Sequence, residues 1–276
     1  MKNFVDNIWL EDKLYGSDIV ILDARGELDD PNAGEILFDS GHIPNAEYVS
    51  MEEVMSGEKG EHGGRHPLPD IDKFVEDMKG FGVDDDSTVV IYDDGDLTFA
   101  GRLLWLLRYI GKDNVFVLKG GYPEWVSSGG EITDSTPSVR KSENLSVNIN
   151  EDIKRDMDYV RDSIGKDGVV LVDSRSKERF TGENEPKDSK AGRIPSAVNY
   201  PQGKLLEMED FPSEESLKEF YKDLKDSDEI IVYCGSGISA TVNYMFMEEA
   251  GFEPKLYPGS FSDWISYEEN EVESDF

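Results

Sequence analysis

One cysteine, Cys234, is all that the 276 residues contain. An internal disulfide framework is therefore excluded, and a reducing compartment, the cytoplasm, is the expected home. Histidine is almost as scarce, at three residues, and no cysteine stands near any of them, so no metal centre is expected. No apolar run nears the ~18–20 residues of a membrane span; the longest, LLWLLRYI, is far too short. The N-terminus, MKNFVDNIWLEDKL, has no apolar core of a secretory signal. Positive charge is also in short supply: 28 Lys and Arg face 60 Asp and Glu, a formal net charge of -32. Phosphate polyanions and anionic membrane surfaces would be repelled, so neither nucleic acid nor membrane is an expected partner. The surplus acids are spread along the chain and read as a solvated surface. No nucleotide-binding glycine fingerprint is present, and no cofactor is expected.

What is present is a repeat. VILDAR (20–25), SGHIPNAEYVS (40–50) and TVVIYDDGD (88–96) recur as VLVDSR (170–175), AGRIPSAVNYP (191–201) and EIIVYCGSG (229–237). Asp23 and Arg25 match Asp173 and Arg175, and both sets read as structural pairs at strand ends. VFVLKGGYPEWV (115–126) matches KLYPGSFSDWI (255–265), with Trp125 opposite Trp264 as core aromatics. A period this long means duplicated domains, expected over 1–135 and 148–276, with a polar linker within 133–144. Within each copy, short β-branched runs alternate with amphipathic stretches at 70–82, 99–111, 213–225 and 239–251. That alternation predicts an α/β fold: two tandem domains, each a mostly parallel sheet with helices on both faces. In such sheets functional residues gather at the carboxyl ends of the strands.

Cys234 stands at such an end, in YCGSGIS. Gly235 and Gly237 permit a tight turn, and successive N–H groups through Ile238 and Ser239 can form an anion nest beside a helix start. Both effects favour thiolate over thiol. Ser236 adds a hydroxyl. Free cysteines also serve as plain packing residues, but the matched residue in the first copy is Asp93, which packing alone does not predict. The divergence predicts one active copy and one silent copy. A cysteine phosphatase would need a clamping arginine at the loop's end, and no Arg or Lys lies between Cys234 and Lys255.

At this point the chain resembles the two-domain rhodanese family of thiosulfate/3-mercaptopyruvate sulfurtransferases. The resemblance spans nearly the whole chain. It rests on GHIPNA and GRIPSA, EHGGRHPLPD (61–70), ERFTGENEPK (178–187), CGSGIS and the two Trp-bearing segments. It implies a sulfurtransferase that takes sulfur from 3-mercaptopyruvate or thiosulfate onto Cys234 as a persulfide. A thiophile then removes it: cyanide, a thiol or a thioredoxin-like partner. A small neutral CGSG loop is the family's mercaptopyruvate type, with Ser236 assisting donor cleavage. Arg179 matches a family carboxylate-binding arginine, and Lys187 stands where a second arginine would be. The resemblance also implies that the silent copy lends His66, with Glu52 near the place of a family aspartate. His66 either relays a proton or caps the turn before Pro67, while His42 braces the GHIP loop. The alternative function is a non-enzymatic sulfur carrier or redox-sensing module, in which Cys234 is modified without turnover.

Overall fold

The computed structural model describes residues 1–138, 141–208 and 210–276, so part of the stretch expected as a linker, 139–140, lies outside the described residues. The chain forms two compact units, Met1–Gly57 with Pro69–Asn150 and Glu58–Leu68 with Glu151–Phe276. The polar residues after 135 are therefore part of the first unit. They are held there by backbone pairing that their composition does not announce: Asn148 and Asn150 N–H donate to Ile110 and Tyr109 carbonyls, and Ser146 N–H donates to Asp85.

The first unit holds a five-stranded parallel sheet of β1 (Phe4–Val5), β2 (Ile19–Asp23), β3 (Ala46–Tyr48), β4 (Thr88–Tyr92) and β5 (Val115–Leu118). Its spatial order is β1-β5-β4-β2-β3. The second unit repeats the plan with β6 (Val169–Asp173), β7 (Val198–Asn199), β8 (Glu229–Tyr233) and β9 (Lys255–Leu256), in the order β7-β6-β8-β9. Helices cover both faces of each sheet. The amphipathic stretches fold as Ile71–Gly80, Thr98–Tyr109, Glu214–Phe220 and Ala240–Glu249. Asp70 and Ser213 cap two of them by accepting the N–H three residues on. The edge strands β1, β3 and β7 carry too few residues to show a period in the sequence. No helix among the described residues is long and apolar enough to cross a membrane.

The two cores match residue for residue. Ile21, Ile43, Ala46, Val90, Tyr92 and Trp125 cluster in the first unit; Leu171, Ile194, Ala197, Ile231, Tyr233 and Trp264 cluster in the second. Each tryptophan donates its ring N–H to a backbone carbonyl at 2.8 Å, of Glu131 and Glu271 respectively, so a large apolar ring is buried with its one polar atom satisfied. The repeated Ile-Pro-X-Ala segment is a turn. Asn45 and Ser196 adopt positive φ after proline, and Ala46 and Ala197 N–H close back on Ile43 and Ile194 carbonyls. The buried pairs then fasten that turn to the strand end. Arg25 bonds Asp23 and the Gly41 carbonyl, and Arg175 bonds Asp173 and the Gly192 carbonyl. His42 stacks on Phe38 at 3.8 Å and meets its carbonyl through Nδ1, bracing the same loop.

One carboxyl in the first sheet is out of balance. Glu47 on β3 is half-buried, its Oε1 has no hydrogen-bond partner among the described residues, and burial pushes its carboxyl up to about 7 from 4.5. A carboxyl raised in the folded state supports the fold below its unfolded value and withdraws that support as pH climbs through 7. Discounted for partial exposure, the loss is about 1–2 kcal/mol. Glu47→Gln is therefore expected to stabilise the first unit by about that amount at pH 8 and to change little at pH 4. Urea unfolding at the two pH values checks it, and equal effects at both would refute it.

Candidate functional site

Register decides what reaches the sheet's carboxyl edge. Asp173 pairs beside Tyr233, so the residue after β8, Cys234, emerges level with the end of β6. Its N–H donates to Ser260 Oγ at 3.1 Å, and its carbonyl accepts from Phe261 N–H at 3.0 Å. Gly235 O accepts from Ser262 N–H at 2.9 Å. These bonds tie the turn to the first residues of the helix Ser260–Trp264. The thiol is buried, at 2% exposure. Gly237 has φ +74° and lies against the Pro258 carbonyl so closely that no side chain fits. Ser239 precedes the helix Ala240–Glu249 without a side-chain cap, and Ile238 is buried beside it, accepting Thr241 Oγ1 at its carbonyl. No acceptor among the described residues takes the backbone N–H groups of Gly235, Ser236, Ile238 and Ser239.

The equivalent turn of the first unit uses its donors differently. Asp93 is buried there, and its carboxylate accepts N–H bonds from Gly95 and Leu97 on one oxygen and from Ala100 on the other, at 2.9–3.2 Å. Burial, with Asp96 next, pushes the Asp93 carboxyl up against the pull of those three donors.

Segment Glu58–Leu68 is part of the second unit and is pinned against the helix Ser260–Trp264 and the residues that follow it. Gly63 N–H donates to Asp263, Arg65 N–H to Ser262 Oγ, and His62 stacks on Tyr267 and bonds Ser266. This brings His66 Nδ1 to 2.9 Å from Ser236 Oγ, with both residues buried. It also brings in Arg65, which sequence reasoning does not single out. A Cβ built on Gly235 would lie 2.7 Å from Arg65 Nη2 and 3.2 Å from Arg179 Nη2, so two guanidiniums pack on the residue next to Cys234. The available signal was modest: Arg65 directly precedes His66 in RHPLP.

Arg179 is held by Glu185 through Nε and by Asp188 through Nη2, and Asp188 also takes Arg65. Burial alone would raise Glu185, but Arg179 and the N–H groups of Lys187 and Asp188 outweigh it and hold the carboxyl low. Asp188 is pushed up by burial, opposed chiefly by Arg65. Lys187 follows a different course: its N–H bonds Glu185, but its side chain is exposed and makes no hydrogen bond or ion pair among the described residues. Glu52 belongs to the first unit, exposed at the rim of a small hollow walled by Arg25, Tyr48 and Phe99. Among the described residues, no group of three or more His, Cys, Asp or Glu is placed to hold a metal ion.

These features define a duplicated parallel α/β protein that keeps a thiol in one copy of a strand-end turn and a carboxylate in the other. The chain belongs to the family of the rhodanese-like domain, whose model matches residues 6–128 and 156–267. It is 36% identical over 262 residues to a Pseudomonas aeruginosa protein named "probable 3-mercaptopyruvate sulfurtransferase", covering 92% of each chain. It is 29% identical over 272 residues to the Escherichia coli 3-mercaptopyruvate sulfurtransferase, covering 95% of this chain and 94% of that one. The solved structure of SseA from Escherichia coli, described as a 3-mercaptopyruvate sulfotransferase, superposes with a TM-score of 0.81 at 27% identity, over 95% of this chain and all of that one.

Proposed function

We propose that this sulfurtransferase works by covalent catalysis at Cys234. The thiolate attacks the sulfur of the donor and forms a persulfide. With 3-mercaptopyruvate the carbon–sulfur bond breaks, the electron pair stays on carbon as the enolate, and a proton from Ser236, replaced from His66, completes pyruvate. With thiosulfate the sulfur–sulfur bond breaks and sulfite leaves with the pair. An acceptor nucleophile (cyanide, a thiol or a thioredoxin-like dithiol) then attacks the outer sulfur and returns the pair to Cys234.

The observation that carries this reading is the contrast with Asp93. A carboxylate oxygen stands two bonds from Cβ, and so does the outer sulfur of a persulfide, whereas a bare thiol sulfur stands one. In the first unit the turn's N–H groups meet that second atom. In the second unit four N–H groups have no acceptor among the described residues, which suits an anion one atom beyond Sγ. Arg65 and Arg179 take the donor's anionic end, since both lie against Gly235.

With excess cyanide, thiocyanate is expected to accumulate over many turnovers. Arg65→Ala and Arg179→Ala are each expected to raise the donor KM about 10–100-fold, the worth of one charge-assisted hydrogen bond. Lys187→Ala is expected to stay within about twofold, because its side chain points to solvent. Release of a single sulfur equivalent per chain would instead identify a carrier.

A further inference from the structure

Six charges alternate from the end of β6 to the Cys234 turn: Asp173, Arg175, Glu185, Arg179, Asp188 and Arg65. Arg175 joins Asp173 at 2.6 Å to Glu185 at 3.2 Å; Arg179 joins Glu185 at 2.9 Å to Asp188 at 2.8 Å; Asp188 passes on to Arg65. The three carboxylates and Arg175 are sealed, with side-chain exposures of 2% or less. Arg179 and Arg65 open outward, at 18% and 30%. Arg65 Nη2 and Arg179 Nη1 have no acceptor among the described residues, and both lie within 3.4 Å of the Cβ position of Gly235. An anion docked there meets directed N–H donors. It does not meet net positive charge, because three arginines and three carboxylates cancel.

We propose that Asp188 selects the class of donor. By bridging Arg65 and Arg179 it holds both forks in place and cancels one of their charges, so the site favours a monoanionic α-keto carboxylate over dianionic thiosulfate. This rests on the reading that Cys234 receives the donor's sulfur, and names the substrate class for that site. The physical reason is a difference in scaling. The cost of dehydrating an ion rises with the square of its charge, whereas attraction to a fixed charge rises only linearly. A site without net charge cannot offset the extra dehydration of a dianion, but two oriented guanidiniums can still pair with one carboxylate. Asp188 is thus a positioning residue, acting on the donor through the two arginines.

The test is kcat/KM for 3-mercaptopyruvate and for thiosulfate, with cyanide as acceptor, in wild type, Asp188→Asn and Arg65→Gln. Asp188→Asn adds one positive charge and is expected to raise the thiosulfate-to-mercaptopyruvate ratio about tenfold, an effect that shrinks in high salt. Arg65→Gln changes charge in the opposite sense and is expected to lower the ratio. A purely structural role would depress both donors together; an unchanged ratio in Asp188→Asn, or a reversed one, overturns the proposal. A second arm needs neither a folded variant nor turnover. Calorimetric titration of the wild type with pyruvate and with sulfate at matched ionic strength is expected to give the tighter binding to pyruvate, and tighter sulfate binding overturns the proposal. Failure of Cys234 to gain sulfur in the intact mass would refute the underlying reading separately, leaving the anion preference to be judged by that titration.

Discussion

Cys234→Ser is expected to abolish sulfur transfer from either donor, by on the order of 10³-fold or more, while the protein stays folded. Serine is nearly isosteric, and the turn is held by backbone groups that the substitution leaves alone: the N–H of residue 234 on Ser260 and its carbonyl on Phe261. What is lost is the nucleophile. A serine hydroxyl is scarcely ionised near neutral pH and lacks the polarisability of a thiolate. Because the chain has a single cysteine, no second thiol can take over. Intact mass after incubation with excess donor reads the chemistry directly. The wild type should gain one sulfur atom and lose it to cyanide, and the serine variant should gain none. A serine variant that retained more than about 1% of turnover would remove Cys234 from the reaction.

Asp173→Ala is expected to cost about 3–5 kcal/mol in the second unit, the range for removing one partner of a buried ion pair. Asp173 and Arg175 are almost fully enclosed, with side chains 0% and 1% exposed. Burial works against the Arg175 guanidinium, yet Asp173, first among its neighbours, keeps its proton affinity above the ordinary value. Without that carboxylate the guanidinium is left in a dry site over the Phe261 ring, with Glu185 and the Gly192 carbonyl as its remaining hydrogen-bond partners among the described residues. The turn at Ile194–Ala197 loses the Asp173 end of its fastening and keeps the bond from Ile194 N–H to the Tyr233 hydroxyl. Asp23→Ala is the matched experiment in the first unit, where Arg25 is bonded in the same way to Asp23 and the Gly41 carbonyl. Urea unfolding should show each variant lowering the stability of its own unit. A loss below about 1 kcal/mol would mean that water enters and solvates the stranded arginine.

Sequence by itself determined the duplication, the parallel α/β plan and the turn that carries Cys234. These follow from short-range physics. Strand runs and helix faces are periodic over a few residues, Asp and Arg two apart at a strand end bond each other, and glycines around Cys234 permit a close turn. The first unit's Asp93 could be matched to Cys234 by counting along the repeat, although only the folded turn reveals what its carboxylate accepts. Tertiary structure alone decided that Arg65, and not Lys187, joins Arg179 at Gly235. Lys187 sits beside the right glutamate in the chain and turns to solvent, while Arg65, remote in sequence, is carried in on a segment that belongs to the second unit. It also decided that Asp188 bridges the two arginines. With 28 basic and 60 acidic side chains available, composition cannot say which charges meet. That choice is made by the path of the backbone, because a buried ion pair forms only where the fold brings both partners out of water together.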